Sequence, residues 1–457
     1  MDSRPRLDSQ TGSVLVAALV VIFILLTIFF AVFSIAVSSK MMITRKILKT
    51  RAGYLADTGI ERFVFAANKD SLDWREALRL RISDTIGRNE SFDVTSGIYG
   101  GYILVNSTGK AGTQAVRKQA LVGKAPWTDL NLALLNSDMN YPLVVAGRAK
   151  INGNVVVGPE GIVRGSLQGE ANSEEKPVSG TVKTRSAPEP VQLDRTLMEH
   201  LRQEFALLSS NPTYTLSGNQ VIRELVLRKS GSPVTYFIEG NTELESLRLK
   251  AYGQEVNLLI RGSVTVRGKS ELEGAVRIYS SQNITLEGPA VLDGTLLFAE
   301  AEITFREVRR FQGQALAGSK IKAGPDARIE YPSLLYVSSG EIISDTTQIH
   351  FLSGSRSRTL AFLEKSDSNA KDHADIVTID TNATVIGCIA SQDLTELRGE
   401  LRGISITRSY HLQLFPTRYV NWLYNATIDR SQLDFFPVLP VNVLESGQYA
   451  VFDIWGE

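Results

Sequence analysis

Residues 258–305 read LLIRGSVTVRGKSELEGAVRIYSSQNITLEGPAVLDGTLLFAEAEITF. Gly262, Gly268 and Gly274 fall six apart, and Gly288 and Gly294 are again six apart. Between them sit SVTVR, SELE, AVRIYS, NITLE, AVLD and TLLFA, in which apolar and polar residues alternate. Alternation sends one side chain inward and the next outward, the period of a strand. Short strands, recurring glycine turns, no long helix and no Asn-Gly hairpin signal predict an irregular right-handed β-solenoid. Each coil would stack on the last, with apolar positions forming a continuous inner ladder. An antiparallel β-sandwich would give similar alternation and stands as the alternative fold.

The same texture resumes at 313–349 and 374–407, so the solenoid is placed at 221–413. A first β segment appears upstream at 143–169, LVVAGRAKINGNVVVGPEGIVRGSLQG. It falls in a linker region, 126–220. That region would also hold a short helix at 127–135, an aperiodic polar loop at 170–190 and a helix at 195–208. The last segment, 414–457, is rich in aromatic residues. Residues 417–429 are expected to form a helical turn that brings Tyr419, Trp422 and Leu423 together. The segment reads as a cap over the last coil, whose edge would otherwise expose unpaired backbone groups. The other reading is a docking surface, with Tyr419, Trp422 and Trp455 as anchors, since Tyr and Trp favour interfaces.

The N-terminal region obeys a different rule. Residues 14–37 are 24 consecutive positions without charge, Gly or Pro, VLVAALVVIFILLTIFFAVFSIAV. As a helix they would reach about 36 Å, enough for a hydrocarbon core of about 30 Å. The run is too long for a secretory signal peptide and lacks a small-residue cleavage site, which predicts a retained transmembrane helix. Beyond it, Ala52, Leu55, Ala56, Gly59, Ile60, Phe63, Val64 and Ala67 step by alternating threes and ones, one apolar face of a helix. No proline interrupts 14–70, so the membrane helix is expected to continue into an amphipathic stalk. Residues 71–125 would then form a small α+β head, with a helix or helix-turn at 71–90 and strands at 92–123.

Composition narrows the function. Lys+Arg and Asp+Glu are equal at 49 each, which gives no support for a nucleic-acid partner. The single cysteine, Cys388, lies in an apolar run and reads as a buried, inert thiol. The four histidines are scattered without metal-ligand spacing. Neither a cofactor nor a metal is expected, and residues 367–375 only loosely resemble a calcium loop. Carboxylates at Asp293, Glu300, Glu302 and Glu307, with Arg306, Arg309 and Arg310, would suit a carbohydrate-active enzyme. An exposed strand face with paired charges explains them as well, so the expectation is a non-enzymatic protein.

A greasy half-helix running into an amphipathic half-helix is the architecture of type IV pilins and pseudopilins. The resemblance continues in a short charged segment, 1–12, ending in Gly12, then Ser13-Val-Leu-Val-Ala-Ala-Leu. It also extends to Ala52, Ala56 and Gly59-Ile60-Glu61, which resemble the N-terminal region of PilX-type minor pilins, and to the hairpin sequences near 101–122. It covers residues 10–125. It implies a leader, 1–12, cut by a prepilin peptidase between Gly12 and Ser13. It also implies an assembly helix involving Ala17, Ala52, Leu55, Ala56, Gly59, Ile60, Glu61 and Phe63. The partners implied are the lipid bilayer, pilin or pseudopilin subunits and their assembly machinery in a type IV pilus or type II secretion-like system. A surface glycan or protein could be a further partner. The location implied is the inner membrane, single-pass, with the body outside the cytoplasm or carried into a surface filament. Ala17 departs from the family, which places Glu at the fifth mature position, and this favours a minor or tip subunit over a major one. Lys40, Arg45, Lys46, Lys49 and Arg51 follow the apolar run before any acid, which by the positive-inside rule points the body inward. The motif reading points it outward and is followed here.

Overall fold

The computed structural model describes residues 10–126, 132–188, 191–227, 233–338, 346–365, 374–444 and 447–456. Residues 1–9 of the leader, the 127–131 part of the expected short helix and most of the 367–375 loop lie outside the described residues.

One unbroken helix, Gln10–Lys69, begins the fold. Its stretch from Val14 is long and apolar enough to cross a membrane, and the apolar window has nothing packed against it. Packing starts near Leu48. From there Ala52, Leu55, Ala56, Ile60, Phe63 and Ala67 are buried, while Arg51, Glu61 and Arg62 face solvent. This apolar face lies on a five-stranded antiparallel sheet formed by Ile82–Gly87, Glu90–Tyr99, Tyr102–Ala111, Gln114–Lys124 and Tyr449–Gly456. The helical stretch expected over 71–90 is a single turn, Trp74–Ala77, closed by a capping box between Asp73 and Glu76. The chain is already a strand by Ile82, because it serves as the sheet's edge.

The body is a large parallel β-structure in which each strand pairs with one a coil further on, which excludes the antiparallel sandwich. Tyr214 lies opposite Tyr236, and Val234 opposite Val256, a spacing of 22 residues. The spacing shortens to 18 at Glu302–Lys320, lengthens to 28 at Lys320–Gln348 and falls to 16 at Thr384–Glu400. Inward residues of successive coils make one apolar core, running from Ala133 through Leu258, Phe305 and Phe351 to Ile428.

Three boundaries differ from expectation. Residues 132–136 are a strand, Leu132–Asn136, and pair in parallel with Ser405, Ile406 and Thr407. Two coils from the first β segment therefore stack onto the last coil of the body, through Leu132–Asn136 and then Asn154–Val157. Part of the polar loop joins them, since Val182–Thr184 pairs with Val155–Val157. This upstream segment covers the end of the stack that residues 414–457 were expected to seal. Residues 417–429 are strands instead of a helical turn: Thr417–Val420 folds back on the preceding strand, and Trp422–Tyr424 and Thr427–Asp429 extend the coils. The C-terminal strand then returns to the head and pairs with Gln114–Lys124.

The helix Thr196–Ser210 lies alongside the coils and buries Leu197, Met198, Leu201 and Phe205. Phe205 packs on Tyr279 and Phe298, with ring centroids 4.5 and 5.2 Å away. This helix, the head and residues 438–443 cover one outer face of the coils and create a second apolar core. The strand Ala290–Ala299 therefore shows consecutive buried residues from Gly294 onward, because both of its faces are covered.

Candidate functional site

The stalk and head meet at backbone distance. A Cβ on Gly109 would lie 2.0 Å from the Ala52 carbonyl oxygen and 2.5 Å from the Ala56 nitrogen. One on Gly59 would lie 2.2 Å from Ser107 Oγ. Small residues here let helix and sheet interlock. Lys118 Nζ donates to both Asp57 oxygens at 2.7 Å, and Arg51 pairs with Glu90 at 3.0 Å. Six of the eight residues assigned to an assembly helix (Ala52, Leu55, Ala56, Gly59, Ile60 and Phe63) are thus buried against the chain's own head. Ala17 and Glu61 are exposed. Gly12 and Ser13 fall in the first turn of the helix Gln10–Lys69.

A second set of contacts fixes the head on the coils. The head turn at Tyr99–Tyr102 enters the coil surface, with Gly100 in the left-handed region at φ 62°. Gln314 donates to the Tyr99 carbonyl at 2.9 Å and accepts from the Gly101 N–H at 2.7 Å. Tyr99 Oη donates to the carbonyls of Val276 and Gly294, and Tyr102 Oη to that of Val438. Burial pushes both phenols well above their ordinary range, so they remain donors. Arg277 is buried, donates to the Ile98 carbonyl at 2.9 Å and faces Glu204 and Glu255 at 3.4 and 3.1 Å. Burial raises the Glu204 pKa, with Arg277 opposing. Sequence reading missed this junction; its one signal is a charge, Arg277, between the apolar residues Val276 and Ile278 in the strand Glu271–Ser280.

The aromatic residues proposed for docking separate into two places. Tyr419 and Trp422 meet, with ring centroids 5.2 Å apart, and flank a small apolar cluster of Ala146, Leu167 and Leu412. Phe415, at the turn of the hairpin carrying Tyr419, is 95 % exposed. Trp455 belongs elsewhere: it is buried, stacks edge-on against Tyr99 and donates to Asp453, so it is not a surface anchor. Near the hairpin opens a cleft of about 510 Å³ lined by Arg148, Thr384, Arg398, Glu400, Tyr424 and Thr427, among others. Thr384, Glu400 and Thr427 stand in register on successive coils.

The carboxylates considered for catalysis are spread over paired sites. Asp293 bonds Arg310 at 2.7 Å, and Glu302 bonds Lys322 at 2.9 Å. Glu300 accepts from Arg202 and from Tyr279 Oη, and Arg306 pairs with Glu287. Glu307 and Arg309 are exposed. Burial raises the Asp293 pKa against the pull of Arg310. At Glu302 burial is outweighed by Thr304 and Lys322, and the pKa is lowered. Most of these pairs join adjacent coils, as cross-strand charges do. Cys388 is buried in the second core, where burial pushes its thiol up to about 12. His350 meets Asp380 at 3.0 Å, His200 lies edge-on to Trp74, and His373 is outside the described residues. Among the described residues, no group of three or more His, Cys, Asp or Glu is placed to hold a metal.

No family model and no curated protein matches this chain. Among solved structures, an ice-binding protein (LeIBP) from an Arctic yeast is similar at 11 % identity and a TM-score of 0.21, covering 67 % of this chain and 94 % of its own. The competence-associated pilin ComZ from Thermus thermophilus is similar at 12 % identity and a TM-score of 0.21, covering 90 % of this chain and 98 % of its own. An ice-binding protein from an Antarctic Flavobacteriaceae bacterium gives 11 % identity and a TM-score of 0.11, covering 66 % of this chain and 96 % of its own. Scores at this level do not establish a shared fold or function.

Proposed function

We propose that this chain is a non-enzymatic minor pilin- or pseudopilin-like subunit. It would be anchored in the inner membrane by one helix and would display an irregular right-handed β-solenoid outside the cytoplasm. One observation carries the reading: the helix Gln10–Lys69 is continuous, with an uncovered apolar first half and a second half locked into its own head. An ordinary tether needs no rigid connection to its cargo. An assembly helix does, because force or register applied to the first half must reach the body. Cleavage after Gly12 would free Ser13, and lifting the helix from the bilayer would carry the body with it. A body this large would crowd a tight helical fibre, which favours low copy number or a tip position.

The second reading is a single-pass envelope protein whose body binds a glycan or protein without a pilus role. The polar cleft beside Tyr424 favours it, with Thr384, Glu400 and Thr427 aligned on successive coils. Mass spectrometry of the N-terminus of protein purified from its native membrane separates the two. A mature chain starting at N-methylated Ser13 supports the pilin-like reading, and an intact Met1 removes it.

A further inference from the structure

The whole chain is electrically balanced, yet its stalk is not. Between Val37 and Asp57 the helix carries five cations and no acid. Glu90 engages Arg51 at 3.0 Å. Lys40, Arg45, Lys46 and Lys49 are exposed, and no ion pair holds them among the described residues. They sit on more than one side of the helix, so they form a collar rather than a face.

The head adds to this collar. Its loop tips reach the same level of the stalk: a Cβ on Gly112 would lie 3.4 Å from Leu48 Cδ1, and the Gly112 N–H donates to the Asn89 carbonyl. Arg88 and Lys110, beside these tips, are exposed. Among the described residues, six cations that no ion pair holds therefore gather where the body meets the uncovered apolar helix. Lys40 lies three residues past the apolar run, about 4.5 Å of helix, and Arg45 and Lys46 about 12–14 Å past it. The interfacial layer and the screening length beyond it cover that span.

We propose that this collar binds the headgroups of anionic phospholipids and holds the stalk in the phosphate layer while the body stands clear of the bilayer. The proposal rests on the membrane-anchored reading. Continuity with the apolar segment selects lipid as the partner, because any ligand reaching these cations must lie beside the helix as it leaves the hydrocarbon. It also accounts for the cations on the body's side of the membrane, where the positive-inside rule would not place them if the body is external.

The full-length chain is reconstituted into phosphatidylcholine vesicles with or without about one-fifth phosphatidylglycerol, a typical anionic fraction. Electron paramagnetic resonance of spin-labelled lipids then measures which headgroup the chain holds at its surface. The expected preference for phosphatidylglycerol is about fivefold, the ratio that one cation–headgroup contact of about 1 kcal/mol gives. It should fall toward one in a Lys40→Gln/Arg45→Gln/Lys46→Gln/Lys49→Gln variant and at high salt. A charge-keeping variant, Lys40→Arg/Arg45→Lys/Lys46→Arg/Lys49→Arg, should retain it. A wild-type preference near one, or an unchanged preference in the glutamine variant, overturns the proposal. A chain that fails to enter even pure phosphatidylcholine overturns the membrane reading itself.

Discussion

Gly109 and Gly59 decide how close the stalk can come to the head. A methyl group at Gly109 would meet the helix backbone at Ala52 and Ala56 and the Cβ of Leu55, with no flexible side-chain end to displace. Gly109→Ala should cost about 2 kcal/mol or more, the upper range for overpacking, and loosen the stalk. Urea unfolding reads the loss, and limited proteolysis after Arg51 or Arg62 reads the loosening. His411 is the opposite kind of residue. It is buried on the strand Glu400–Leu414, and neither ring nitrogen meets a hydrogen-bond partner among the described residues. Burial lowers its pKa, and Arg418 and Arg398 add to this against Glu396. The unfolded chain therefore binds the proton that the folded chain refuses. Stability from the neutral ring is full at pH values above about 6.5 and is lost as the pH falls below it. His411→Leu should match wild type or exceed it at pH 7.5, and its advantage in urea midpoint should grow at pH 5.5. An advantage independent of pH would contradict this assignment. None of these roles is written in residue type alone. Gly59 announced itself through the helical face, whereas Gly109 needed a partner helix that no strand pattern names.

At the scale of elements, the strand Tyr449–Gly456 belongs to a sheet begun more than 300 residues earlier. It covers Gln114–Lys124, which would otherwise be an open edge. It also supplies Phe452, stacked on Tyr102 at 4.1 Å between ring centroids, and Trp455 against Tyr99. Removing residues 447–457 should therefore damage the head while leaving coil pairing in place. Hydrogen exchange should show lost protection over 90–124 and retained protection over 258–317; uniform loss would mean that head and coils unfold as one unit. The sequence patterns that were legible here are the local ones. Glycines six apart with alternating side chains gave the coils, and the three-and-one stepping gave the stalk's packed face, on which Val64 is only half-buried. The pairing of Leu134 with Ser405 has no such signal, because parallel partners can be any distance apart along the chain. Helical spacing at 417–429 misled for a related reason. Trp422 and Leu423 are held by the strand Leu143–Ala146, so tertiary pairing overrode local preference.

For the whole molecule, the order of the chain matters as much as its elements. It leaves the head, winds two coils at one end of the stack, runs back along the helix Thr196–Ser210 and winds toward those coils again. It finishes in the head. Stalk, head and body are therefore tied by the chain's beginning and its end, with Arg277, Gln314 and Tyr99 at the joint. A body so fixed would transmit a pull or a rotation of the helix without slack. The central claim, that this helix holds the body on the outer side of a membrane, is tested by one labelling measurement. Cys388 is buried and will not interfere, and Glu175 is exposed on the body. A full-length Glu175→Cys variant is treated with a membrane-impermeant maleimide in intact spheroplasts and after lysis. The account predicts full labelling before lysis; labelling only after lysis would place the body in the cytoplasm and contradict it.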